Sequence, residues 1–163
     1  MGRESVTDLV GFFESRGLNV FDLVVLSGAH TIGRATCAAV KPRLCNHQGT
    51  GKPDSTLDRR YGDFLRRKCR SAGDGGYLEL DGETPTTFDH RYYQNLLHGM
   101  GLLETDQKML LDSRTGSFVR QFASQDGLFR HQFADSMRRL GAVQVLTGNE
   151  GEVRLKCSAV NSY

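Results

Sequence analysis

The segment Asp22-Leu23-Val24-Val25-Leu26-Ser27-Gly28-Ala29-His30-Thr31-Ile32-Gly33 constrains this chain more than any other stretch. It sets one histidine at the end of an apolar, helix-capable run, with a hydroxyl residue directly behind it. An imidazole in that position can face an apolar cavity while Thr31 points the other way. By itself, a histidine on an apolar helix reads as a hydrogen-bonded core residue as readily as a ligand. Downstream, Gly101-Leu102-Leu103-Glu104-Thr105-Asp106-Gln107 places an acid among apolar residues. A ligating histidine usually donates its second ring N–H to a carboxylate or carbonyl, and His30 with Asp106 suits such a pair. Asp106 also reads as an N-cap for a helix beginning at Gln107.

Helical periodicity dominates the rest of the chain. Val6, Leu9, Val10 and Phe13 recur at i, i+3, i+4 and i+7, and Gly17 suits a helix stop. Asn19 with Asp22 three residues on resembles a capping box for the helix leading to His30. Gly28 loosens the chain just before the histidine. Residues 46–56 read as a loop, and Tyr61, Phe64 and Leu65 mark a helix ending near Cys69. A helix from about Phe88 to His98 and a short one after Asp106 follow, then two more spanning roughly 116–124 and 127–140. Any strands around Val143-Gln144-Val145 or Val153-Arg154-Leu155 are expected to be short. The fold class is mainly α, in one domain over residues 1–163.

Composition excludes several classes. The net charge is +2, and the basic clusters Arg59-Arg60, Arg66-Arg67-Lys68 and Arg138-Arg139 are interleaved with acids. No concentrated basic stripe suits nucleic acid, and no apolar run approaches a membrane span. Met1-Gly2-Arg3-Glu4-Ser5-Val6 lacks the apolar stretch of a signal peptide and misses the myristoylation pattern at Val6. The four cysteines, Cys37, Cys45, Cys69 and Cys157, have no zinc-like spacing, and an even count permits disulfides without assigning them. His47, His90, His98 and His131 read as surface residues. Thr31, Asp81, Thr84, Thr87 and Asp89 offer an oxygen-only environment suited to calcium. The alternative is that Thr84-Pro85 and Asp89 merely make a turn and cap a helix.

The His30 segment followed by Cys37 resembles the proximal haem segment of class III (secretory plant-type) peroxidases. The resemblance continues through Thr84-Pro85-Thr86-Thr87-Phe88-Asp89, Tyr92-Tyr93-Gln94-Asn95-Leu96, Gly101-Leu102-Leu103, Asp106-Gln107 and Leu146-Thr147-Gly148. It closes with Gly151-Glu152-Val153-Arg154-Leu155-Lys156-Cys157 and covers nearly the whole chain in order. It implies the proximal half of the plant-type haem peroxidase fold, with His30 as axial ligand of haem b and Asp106 accepting its other N–H. A carboxylate-bonded imidazole is more anionic and favours oxidising chemistry over gas carriage. It further implies one proximal calcium site at Thr31, Asp81, Thr84, Thr87 (through its carbonyl) and Asp89, and a Cys37–Cys69 disulfide.

The same resemblance implies oxidation of phenolic donors by hydrogen peroxide, tied to oxidative stress and cell-wall lignin chemistry. It also implies secretion to the cell wall or vacuole. Leu80 stands where some relatives carry an aromatic ring against the axial imidazole. Cys157 lacks its expected N-terminal partner, and Cys45 stands where relatives commonly carry an aromatic residue. Both are left free or bridged to each other. The family's distal histidine and arginine lie in an Arg-x-x-Phe-His-Asp-Cys segment that this sequence does not contain. Peroxide cleavage needs such a base and cation. The chain is therefore expected to be a truncated, proximal half with weak or no turnover alone. Alternatives are a non-catalytic haem- and calcium-binding half-domain, pairing with a missing N-terminal half, or a structural remnant.

Overall fold

The computed structural model describes residue 2 and residues 4–162; Met1 and Arg3, part of the N-terminal segment considered above, lie outside the described residues. The apolar stripe beginning at Val6 forms α1 (Val6–Glu14), which buries Val6 and Val10 and starts at a Ser5–Asp8 capping box. Gly17 ends this turn of chain with φ +73°, a conformation that disfavours any side chain. The Asn19–Asp22 capping box is present at the start of α2 (Val20–Ser27). The apolar run then tightens into a 3₁₀ turn over Gly28–Thr31, which carries His30.

The remaining helices are α3 (Cys37–Cys45), α4 (Arg59–Ala72), α5 (Arg91–Leu97), α6 (Glu104–Leu111), α7 (Gly116–Ser124) and α8 (Asp126–Gly141). Two three-residue strands, β1 (Arg34–Thr36) and β2 (Tyr77–Glu79), pair antiparallel with Ala35 opposite Leu78. This ladder was not expected, since three residues are too few to display an alternating pattern. No strand forms at 143–145 or 153–155, where any strand was expected to be short. Val153 and Leu155 are exposed, and the Asn161 side chain bonds the Leu155 N–H and the Val153 carbonyl in place of a ladder partner.

Two apolar clusters result. One joins α1, α2, α5, α6, α7 and α8 through Val24, Val25, Tyr93, Leu96, Phe122 and Phe129. The other packs α3 and α4 with β2 through Val40, Leu44, Leu65 and Leu78. Cys37 and Cys69 close a disulfide across a separation of 32 residues, joining α3 to α4. On the chain-entropy model a loop of that size contributes about 3–4 kcal/mol. Cys45 and Cys157 are both free and exposed, not bridged to each other.

Asp22 has a second task beyond capping. It is buried, and it accepts bonds from Ser136 Oγ (2.7 Å) and the Arg139 guanidinium, so α2 is clamped to α8. Burial opposes its ionisation, but the bonds from Arg139, Ser136 and Asn19 outweigh that and hold its carboxyl below the ordinary value.

Gly28 does not serve as a loosening point. Its φ of −60° is ordinary helical backbone. Glycine is required because a Cβ would collide with the Tyr93 hydroxyl and the Phe129 ring. Tyr93 needs that closeness to donate to the Val24 and Val25 carbonyls (3.0 and 3.2 Å) at the end of α2. Gly28→Ala is therefore expected to destabilise the fold by about 1–3 kcal/mol through overpacking. Urea unfolding checks this; an unchanged midpoint would refute the close-packing account.

Candidate functional site

The 3₁₀ turn explains why adjacent residues His30 and Thr31 serve opposite sides. With three residues per turn, successive side chains diverge by about 120°. His30 points toward α6, where its Nδ1 lies 2.8 Å from Asp106 Oδ1 across 76 residues of sequence. Asp106 is 1% exposed and sits within α6, three residues after the helix-preceding Leu103. The helix thus begins earlier than expected, and Asp106 is not its N-cap residue. It still serves the helix start, because its Oδ2 accepts the Leu103 N–H at 3.0 Å.

The imidazole is one-third exposed, and its Nε2 has no hydrogen-bond partner among the described residues. Burial pulls the His30 pKa down, but the hydrogen bond and charge of Asp106 together outweigh it, so the value stands above the ordinary one. A ring held by Nδ1 with Nε2 open has the donor geometry of a metal ligand.

Sequence reasoning gave Tyr92 no role in the site; it stood only as a helix residue within a segment of the family resemblance. Tyr92 lies on α5, almost fully buried, and its hydroxyl donates to Asp106 Oδ1 at 3.1 Å. Its ring meets His30 edge-on, with centroids 5.9 Å apart. Burial, reinforced by the Asp106 charge, raises its phenol well above the usual value, so the hydroxyl keeps its proton and donates. Leu80, by contrast, packs with the α3–α4 cluster.

On the other side of the turn, Thr31 is fully buried. Its Oγ1 lies 3.4 Å from Asp81 Oδ2, 3.4 Å from the Thr87 carbonyl and 3.3 Å from Asp89 Oδ1. Thr84 Oγ1 reaches the same two carboxylates at 3.2 and 3.1 Å. Five oxygens from Thr31, Asp81, Thr84, Thr87 and Asp89 therefore converge. Among the described residues, neither carboxylate has an ion pair with a basic side chain. Asn95, also missed from sequence, steadies Asp81 Oδ1 at 2.9 Å. The turn-and-cap role is present too: Thr87 N–H bonds the Thr84 carbonyl, and Asp89 Oδ1 accepts the Arg91 N–H at 2.8 Å. Among the described residues, no group of three or more His, Cys, Asp or Glu is arranged to hold a metal.

Two histidines expected at the surface are not free there. His47 Nε2 is 3.1 Å from Glu104 Oε1, and His90 pairs with Asp126 at 3.2 Å. His98 and His131 are exposed as expected. Glu104 also takes Lys108 at 2.8 Å and Gln48 at 3.2 Å, which ties the start of α6, and so Asp106, to the turn over 47–49. A histidine with a distant acidic partner leaves no local signal in sequence.

Comparison with known proteins gives a consistent picture. Residues 2–125 match the family model described as "Peroxidase". Among relatives from Arabidopsis thaliana, "Peroxidase 7" is 49% identical over 164 residues, covering 99% of this chain and 46% of its own length. "Peroxidase 23" is 45% identical, covering 96% of this chain and 46% of its own length. "Peroxidase 14" is 42% identical, covering 92% and 45% respectively. The chain thus spans about half the length of the curated relatives it matches.

Burial alone would raise the Glu104 carboxyl, but Lys108, His47 and Gln48 hold it down at about 2. Its folded pKa lies below the unfolded value, so its contribution is full above about pH 4.3. It is lost as pH falls through about 2. Glu104→Gln should cost about 1–3 kcal/mol at pH 7 and little at pH 2, read as the pH dependence of thermal unfolding. An equal loss at both pH values would refute the charge account.

Proposed function

The chain belongs to the plant-type peroxidase family, and from that premise we propose that it forms the proximal half of a haem-dependent peroxidase. The observation that carries this reading is the His30–Asp106 bond of 2.8 Å, with Nε2 left open on a partly exposed ring. His30, with Nε2 open, would hold the iron of haem b. Asp106 keeps the ring in the Nδ1–H tautomer and increases its basicity. When bound, the haem supplies the redox chemistry by which hydrogen peroxide is reduced and a phenolic donor oxidised.

We propose that Thr31, Asp81, Thr84, Thr87 and Asp89 hold calcium. The support is an all-oxygen donor set in which two carboxylates lack a cationic partner among the described residues. Such a set suits a hard cation. The ion would tie the residue next to His30 to the 81–89 segment and so restrain the ligand. The Cys37–Cys69 disulfide supports placement in an oxidising compartment, the cell wall or vacuole. No described helix is long and apolar enough to cross a membrane.

These 163 residues contain no Arg-x-x-Phe-His-Asp-Cys segment to supply the distal base and cation. We therefore assign weak or no turnover to them taken alone, with catalysis requiring a distal half. This observation also favours a second reading, a haem- and calcium-binding half-domain without turnover.

Titration of the purified chain with haem, followed by Soret absorbance and a peroxide/phenol assay, tests the reading. A histidine-type spectrum with little turnover is expected. His30→Ala should remove the histidine signature from the spectrum, and Asp106→Asn should weaken haem binding about 10–100-fold and raise the iron potential. An unchanged spectrum in His30→Ala would sink the assignment.

Calcium at a hundredfold excess over its Kd should stabilise the fold by about 2.7 kcal/mol. Differential scanning calorimetry with and without chelator would show this for the native chain and not for Asp81→Asn. A chelator-insensitive midpoint in the native chain would reject the calcium site.

A further inference from the structure

We infer that Tyr92 is a positioning residue for the ligand pair: its hydroxyl shares Asp106 Oδ1 with His30, fixing the carboxylate and moderating how strongly it draws on the imidazole. The consequence for bound iron rests on the proposed haem reading; the effect on the histidine itself does not.

Three donors meet the carboxylate. Oδ1 receives His30 Nδ1 at 2.8 Å and the Tyr92 hydroxyl at 3.1 Å, while Oδ2 receives the Leu103 N–H at 3.0 Å. The terminal torsion of an aspartate is soft, so one bond per oxygen leaves it room to swing. A second donor on Oδ1, from a buried ring on a different helix, removes that freedom. Tyr92 is itself held, packed edge-on against Tyr93 at 5.0 Å and against His30 at 5.9 Å.

The shared oxygen also has an electronic effect. A hydroxyl donating to a carboxylate forms a charge-assisted bond, stronger than a neutral one. Each such donor draws charge from the oxygen and makes it a weaker acceptor for the others. Tyr92 and His30 therefore compete for one anionic atom. The imidazole carries less anionic character than it would beside an aspartate bonded to His30 and Leu103 alone.

The test is Tyr92→Phe, which keeps the ring and removes the hydroxyl. In the ligand-free chain, proton NMR of the His30 Nδ1–H should show a downfield shift as its bond to Asp106 strengthens. Incorporating 3-fluorotyrosine, a stronger donor, should move it upfield. A merely structural role for Tyr92 would change the unfolding midpoint and leave this resonance in place. In the haem-loaded chain, the iron–histidine stretching frequency measured by resonance Raman should rise in Tyr92→Phe.

An unmoved Nδ1–H resonance in folded Tyr92→Phe overturns the inference. If that variant does not fold, the fluorotyrosine shift decides, and an unmoved or downfield resonance overturns the inference equally. Failure of the native chain to bind haem would reject the proposed function, while the ligand-free NMR result would still judge the role of Tyr92.

Discussion

A carboxylate taken almost wholly out of water costs several kcal/mol unless donors surround it, and Asp106 is 1% exposed. The elements around it are placed to meet that demand. The 3₁₀ turn after α2 brings His30, α5 brings Tyr92, and the chain entering α6 brings the Leu103 N–H. Two other elements and the helix's own start are thereby fixed to one carboxylate. The start of α6 is held in turn by the Glu104 cluster with His47, Gln48 and Lys108. The geometry at His30 is thus inherited from contacts well away from it.

The second constraint is that the turn serves two sides at once. His30 faces the Asp106 carboxylate, while Thr31 faces two others, Asp81 and Asp89. Anything that settles the 81–89 segment therefore acts on the backbone beside His30. Asn95 links this segment to α5, the helix that also carries Tyr92. One short helix thus touches both halves of the site. Gly28 lets the Tyr93 hydroxyl and the Phe129 ring press directly against the backbone two residues before His30.

Much of this was legible before the fold was known. The apolar stripe of α1, the Asn19–Asp22 box and the spans of α7 and α8 follow from periodicity and capping chemistry, which act within a turn or two of helix. His30, Asp106 and the five oxygen donors stood out because their residue types are unusual among apolar or turn-forming neighbours. The β1–β2 ladder did not, since each strand is three residues long and takes its partner from far along the chain. The role of Gly28 was misread as looseness, because a close approach by Tyr93 and Phe129 is invisible in the local pattern.

Sequence by itself determined which side chains were available: one histidine after an apolar helix, an acid in an apolar setting, an oxygen-rich segment and four cysteines. Tertiary structure decided how they were shared. It gave Asp106 to Tyr92 as well as His30, drew His47 to Glu104 and left Cys45 and Cys157 apart. The reason is physical. Helix and cap formation depends on neighbours a few residues away, whereas a bond spanning 76 residues depends on how whole elements pack.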